Sequence, residues 1–206
     1  ELRRYRTTVE LTPTERAAIV RMDFPSDEPA RLIVDLFAGE CQVRIDPDKG
    51  TISGFTRANS GGVPENYALY FHIEIDAPAQ GGGAFSDTEV WECTTIQDGE
   101  SLGAFLELDP TRGPVLARVA TSFISIDQAQ RTMPRELGKR SFEEVLDESE
   151  HIWERILNRI HVEGATDDQR KIFYSCLYRA HLFPRAWYEY DESDDPHHYS
   201  PYDGQV

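Results

Sequence analysis

Lysine is almost missing from this chain. Of its 21 basic residues only Lys49, Lys139 and Lys171 are lysines, and 37 acidic residues leave a formal net charge of −16. Phosphate binding needs clustered Lys and Arg, so an acidic surface of this kind disfavours nucleic acid and anionic membrane, and neither is expected as a partner. Long apolar runs are missing too. Nothing approaches the ~20 residues that a transmembrane helix needs, so no membrane span is expected. No secretory leader is expected within this sequence, because Glu1-Leu2-Arg3-Arg4 opens directly into strand-like sequence. Cysteine is limited to Cys41, Cys93 and Cys176, with no C-x-x-C and no zinc spacing. Three small buried side chains are the expectation, with a Cys41–Cys93 bridge as the alternative if their strands are neighbours.

What remains is enough for a real core. The chain has 206 residues, 39% hydrophobic and 11% aromatic, which argues against disorder. Up to Ser125 the pattern is strands and turns. "YRTTVEL" alternates, with Tyr5, Thr7, Val9 and Leu11 on one face. "AAIVRMDF" puts Val20, Met22 and Phe24 on one face. "RLIVDLF", "CQVRID", "TISGFTR", "YALYFHIEI", "SLGAFLEL" and "PVLARVATSFISI" continue the series. The turn Asp46-Pro47-Asp48-Lys49-Gly50 reads as a hairpin connection. Eight or nine short strands separated by Gly, Pro and Asp turns predict an antiparallel β-sandwich, with no internal repeat.

At Ser125 the period changes. Ser125-x-x-Gln128, Ser141-x-x-Glu144 and Thr166-x-x-Gln169 each read as a capping box. The first opens a helix from Ile126 towards Leu137, which Pro134 is placed to kink or end. The second opens a helix near Phe142–Asn158 whose stripe runs through Phe142, Val145, Leu146, Ile152, Trp153, Ile156, Leu157 and Ile160. That stripe is wide enough to predict burial against the third helix or the sandwich. The third helix should face Ile172, Phe173, Cys176, Leu177 and Ala180 inward and stop at Pro184, with Phe173, Leu177 and Phe183 needing further cover. "AWYEY" reads as a strand. The division predicted is residues 1–125 for the sandwich, 126–165 for a helical linker and 166–206 for the start of a second, helical domain. Both ends read as cuts inside a longer protein.

Candidate chemistry is thin. His197 and His198 are adjacent, so in extended backbone they point to opposite sides and do not share one metal. The acidic run Asp191, Glu192, Asp194, Asp195 lacks the alternating ligands and fixed glycine of a calcium loop, so no metal residue is assigned. Glu89 and Glu92 flank Trp91, but a glycosidase needs its two carboxyls across a sugar and these sit on opposite faces of a strand; a sandwich edge with a core Trp is the better reading. "GGGAF", Gly81 to Phe85, lacks the Lys-Ser/Thr of a phosphate loop and reads as a flexible loop. Nothing resembles a nucleophile elbow.

The most specific stretches lie at the junction. "VELTPTERAAIVRMDFP", "VLARVATSFISIDQAQRTMPREL" and "FYSCLYRAHLFPR" followed by "HYSPYDGQV" resemble, in order, successive parts of the bacterial α-mannosidases of glycoside hydrolase family 92. That resemblance implies a β-sandwich followed by linker helices and the start of an (α/α) barrel. It implies a calcium-dependent exo-α-mannosidase that inverts the anomeric centre, acts on mannose-containing glycans and is secreted or periplasmic. It puts the acid, the base and the calcium ligands beyond Val206, so no catalytic residue is assigned, no calcium is expected in this segment, and the segment alone should be inactive. The remainder of the catalytic domain is then its nearest partner. Tyr199, Tyr202 and Asp203 fall at the entrance of the helical domain, where they are candidates for shaping a substrate cleft. The competing reading is a non-catalytic sandwich module that binds carbohydrate or a partner protein, with Trp91, Trp187, Tyr188 and Tyr190 as stacking candidates.

Overall fold

The structure is a computed structural model, and it describes residues 1–76, 79–182 and 186–206, the Arg112 side chain excepted. Eleven strands come first: β1 (Thr8–Pro13), β2 (Ala17–Asp23), β3 (Ala30–Asp35), β4 (Glu40–Asp46), β5 (Thr51–Thr56), β6 (Leu69–Ile75), β7 (Gly81–Phe85), β8 (Val90–Glu92), β9 (Ile96–Glu100), β10 (Gly103–Leu108) and β11 (Val115–Ser122). Three helices follow, α1 (Ile126–Glu136), α2 (Phe142–Leu157) and α3 (Asp167–Ala180), then a hairpin of β12 (Tyr188–Tyr190) and β13 (Pro196–His198).

The strands form two antiparallel sheets. One runs β1-β2-β11-β6-β5-β4-β9 and the other β3-β10-β7-β8. Alternate residues turn inward and build the core between them: Met22 from β2, Val43 and Ile45 from β4, Ile52 from β5, Ile73 from β6, Leu106 from β10 and Ala117 from β11 are all buried. Val20 and Phe24 pack partly against the same core, as their spacing predicts. The hairpin at Asp46–Gly50 joins β4 to β5, closed by the Lys49 amide on Asp46 Oδ1 at 3.1 Å and by Gly50 at φ +65°.

Two strand readings change. Tyr5 lies in a 3₁₀ turn, Arg3–Tyr5. Val9 and Leu11 share the inward face with their partners Met22 and Val20 but are 40% and 60% exposed. Seven strands over four leave the edge strand uncovered, so alternation there does not mean burial. "GGGAF", expected as a loop, is β7, the inner part of the smaller sheet. Its glycines are required by contact. A Cβ on Gly82 would stand 2.7 Å from the Phe105 carbonyl oxygen and one on Gly83 2.3 Å from that of Trp91. Trp91 itself packs on the core while Val90 and Glu92 face out, as a sandwich edge requires. All three cysteines are free thiols; only Cys41 is buried, and Cys93 and Cys176 are exposed, which corrects the expectation of three buried side chains.

A second core joins the helices to the sandwich. Ala17, Ile19 and Ala120 from the outer face of the larger sheet meet Met133 and Leu137 from the end of α1 and Phe142 and Val145 from the start of α2. Each large side chain buried here stabilises the join by about 1.5–3 kcal/mol. Ser141 and Glu144 complete a reciprocal capping box, and so do Thr166 and Gln169. At Ser125 only half the box forms: Ser125 Oγ takes the Gln128 amide, while the Gln128 side chain reaches instead to the Tyr190 carbonyl at 2.7 Å. Pro134 does not stop α1, which continues to Glu136.

Burial fades along the helices. The α2 stripe is buried at Phe142 and Val145, but Ile152 and Ile160 are exposed and Trp153 is half-buried against Tyr178, with ring centroids 4.5 Å apart. No described residue of α3 is buried. Ile172, Cys176 and Ala180, expected inward, are exposed, because among the described residues α3 packs chiefly against α2 and only slightly. Phe183 and Pro184 lie outside the described residues.

Candidate functional site

The end of the larger sheet, the loop after β5 and the terminal hairpin converge on one junction. Arg57 organises the loop, pairing with Glu40 at 3.2 Å and donating from Nη1 to the carbonyls of Glu65 and Tyr67. That places Asn66, whose Oδ1 accepts from the Tyr199 hydroxyl at 3.1 Å and whose Nδ2 donates to the Gly204 carbonyl at 2.7 Å. Gly204 sits at φ +75°, and a Cβ there would fall 2.2 Å from Asn66 Oδ1. The turn Ser200–Gln205 is thus clamped to the sandwich by one asparagine.

The three candidate residues separate into two kinds. Tyr199 is 3% exposed; burial pushes its phenol above the ordinary value, and its ring sits 6.1 Å from that of Tyr67. Tyr202 is 94% exposed. Asp203 is exposed and hydrogen-bonded by Ser200 and the Gln205 amide, which hold its carboxyl below the usual carboxylate range. So Tyr199 is an anchor, and Tyr202 and Asp203 ride on the turn that it holds.

An aromatic row continues from Tyr199 through Tyr67 and Phe123 to Trp187, with Phe123 and Trp187 centroids 4.9 Å apart. Sequence reading did not single out Glu189, and nothing in its local pattern separates it from the other acids of the run. It is 1% exposed, one oxygen accepts the Phe123 amide at 2.8 Å, and the other has no partner among the described residues. Arg16 reinforces the same attachment by donating to the carbonyls of Ala186 and Tyr188, at 2.7 and 2.6 Å. Behind the hairpin lies a cavity of about 540 Å³ bordered by Arg16, Arg135, Arg140, Glu148, Trp153 and Tyr190. Two of its three arginines are neutralised, Arg135 by Asp194 and Arg140 by Glu148.

The acidic run builds a turn. Asp191 accepts the amides of Ser193 and Asp195 and meets His197 Nε2 at 3.1 Å, and these bonds hold its carboxyl below the usual range. Glu192 faces Arg131 at 3.6 Å. His197 lies opposite Glu189 and His198 opposite Tyr188 in the β12–β13 register. Among the described residues no three His, Cys, Asp or Glu side chains gather as a group that could hold a metal ion. A Ser–His–carboxylate chain does exist: Ser53 Oγ to His72 Nδ1 at 2.7 Å, and His72 Nε2 to Glu74 at 3.0 Å. Ser53 and His72 are buried cross-strand partners on β5 and β6, so the serine cannot meet a substrate. They satisfy each other's polar atoms inside the sheet.

Comparison with known proteins finds two family models along the chain. The model of the glycosyl hydrolase family 92 N-terminal domain matches residues 1–122, and that of the family 92 catalytic domain matches residues 128–206. The family GH92 inverting mannosidase from Bacteroides thetaiotaomicron VPI-5482 superposes with a TM-score of 0.92 at 36% identity, covering 97% of this chain and 27% of that one. The gh92 family glycosyl hydrolase ccman5 gives a TM-score of 0.79 at 25% identity, over 93% of this chain and 27% of that one. A family GH92 alpha-mannosidase from Bacteroides thetaiotaomicron gives 0.81 at 22% identity, over 96% and 28%, a likeness of fold. No curated protein matches. The chain therefore spans about a quarter of the length of the solved structures it resembles.

Proposed function

Because this chain belongs to glycosyl hydrolase family 92, we propose that it is the sandwich and opening helices of an exo-α-mannosidase that removes terminal α-linked mannose from glycans. One observation supports this above the others: nearly the whole chain superposes on an inverting mannosidase with substantial identity. Inversion uses a carboxylic acid for the leaving oxygen and a carboxylate for water, set far enough apart to admit that water. We place both, and the calcium ligands, after Val206. The acids of the terminal run do not compete for these roles, because Asp191, Glu192 and Asp194 are engaged in the hairpin and its arginine partners.

In this reading the residues present position rather than react. Asn66 and Tyr199 hold the Ser200–Gln205 turn at the mouth of the helical domain, with Tyr202 and Asp203 exposed on that turn towards a glycan. Glycan substrates are too polar to cross a membrane unaided, which favours a secreted or periplasmic enzyme.

The test is hydrolysis of an aryl α-mannoside by the full-length protein and by residues 1–206, with calcium and with chelator. We expect full-length activity that disappears on chelation, and none from the segment, since the reaction needs acid, base and positioned sugar together. Turnover by the segment would overturn the placement of the catalytic groups. A full-length protein inactive on all α-mannosides would move the assignment to a non-catalytic carbohydrate- or protein-binding module.

A further inference from the structure

The outer face of the smaller sheet has an arrangement that packing alone does not require. Along β10 and β7 the outward positions alternate phenylalanine and glycine, in register: Gly103 lies opposite Phe85, and Phe105 opposite Gly83. Each ring folds over the glycine across from it. A Cβ on Gly103 would fall 2.1 Å from Phe85 Cζ, and one on Gly83 3.1 Å from Phe105 Cε1. With no side chain beneath them the two rings lie close to the sheet, half-buried. Ile33 and Val90 flank them, 59% and 64% exposed. Together with Arg31 and Glu92 these residues border a shallow groove of about 290 Å³, near the lower limit for a small-molecule site.

The charges at the rim select the occupant. Arg31 is held by Glu107, at 2.7 Å from Nη2, and lies 5.8 Å from the Phe105 ring centroid. Its charge is therefore matched. The exposed Glu92 carboxylate makes no hydrogen bond or ion pair among the described residues. An acceptor without a partner, beside the electron-rich faces of two rings, on a chain of net charge −16, repels anions. It complements a neutral molecule with an apolar C–H face and hydroxyl donors along its edge, which describes a pyranose. A protein partner would need roughly 20–30 residues a side, far more than this groove offers.

We infer that this face, built on Phe85 and Phe105 with Glu92 and Arg31 at its rim, binds the chain of a neutral mannose-containing glycan. The choice of sugar rests on the mannosidase reading; the geometry of the face does not. The surface would hold a polymeric substrate near the enzyme, raising its local concentration without touching the bond that is cleaved.

Native electrophoresis of the full-length protein through gels containing soluble α-mannan, with dextran gels as control, reads the binding directly. Retardation in mannan only is expected. Phe105→Ala, and separately the exposed-surface pair Ile33→Asp with Val90→Asp, should weaken it about fivefold or more, with aryl α-mannoside hydrolysis unchanged. The exposed pair guards against a Phe105 variant that fails to fold. Active protein that is not retarded, or variants retarded like the parent, would overturn the surface and leave the mannosidase reading standing. Retardation lost in both variants of a protein with no mannosidase activity would do the reverse.

Discussion

Gly83 and Gly103 occupy equivalent outward positions on neighbouring strands, yet different atoms forbid a side chain at each. At Gly83 the obstacle is the Trp91 carbonyl, 2.3 Å from the would-be Cβ, and the β8 backbone cannot move without breaking its pairing. At Gly103 it is the Phe85 ring, which can swing outward. Gly83→Ala should therefore destabilise by about 2–3 kcal/mol as an overpacking change, and Gly103→Ala by about 1 kcal/mol or less. Urea denaturation of both variants decides it; equal losses would mean that ring and backbone yield alike. This is also where sequence reading fails locally. A run of three glycines signals a loop because glycine favours turns, but here it signals crowding, and the crowding atoms come from Trp91 and Phe105, which only the folded sheet brings near. Glu189 was illegible for the same reason: its partner, the Phe123 amide, is 66 residues away.

At the scale of elements, local rules served best where local chemistry decides. The change of period at Ser125 and the boxes at Ser141 and Thr166 locate all three helix starts and the ends of α1 and α2 to within a residue, while α3 ends at Ala180, short of the stop expected at Pro184. Burial was less legible, because it depends on what lies opposite. Val145 is buried on the sheet, while Ile172, also apolar, is 65% exposed. The same contrast separates two capping variants. Each loses a hydroxyl cap worth about 1 kcal/mol. Ser141→Ala removes it from a helix whose first turn lies in the second core, so global stability should fall by about that amount. Thr166→Ala removes it from a helix with no buried residue, so α3 should fray while the midpoint of global unfolding stays put. Amide hydrogen exchange along α3, set beside thermal unfolding of both variants, tests the pair. A lowered midpoint for Thr166→Ala would show α3 coupled to the sandwich after all.

For the whole molecule, the fold class was readable because a sandwich and a helical extension have different periods, and the candidate cleft residues were found only by family resemblance. Their roles then divided according to burial, with Tyr199 inside and Tyr202 outside. One consequence belongs to the chain as a whole. The helical end exposes Ile152, Ile160, Ile172 and Leu182, at 41%, 46%, 65% and 45%, and apolar exposure of this kind favours association. Opposing it is a net charge of −16. Repulsion between such charges acts over roughly 30 Å at 0.01 M salt but only about 8 Å at 0.15 M, whereas apolar contact is not screened. Residues 1–206 should therefore remain monomeric at low ionic strength and associate as salt is added, the reverse of an assembly held by ion pairs. Ile172→Glu, at the most exposed of these positions, should shift the onset to higher salt without lowering the unfolding temperature, since α3 buries nothing there. Light scattering across a salt series measures both. A segment that stays monomeric at 0.5 M salt, or one that associates at low salt and dissociates as salt rises, would show that these side chains are not what drives contact between copies.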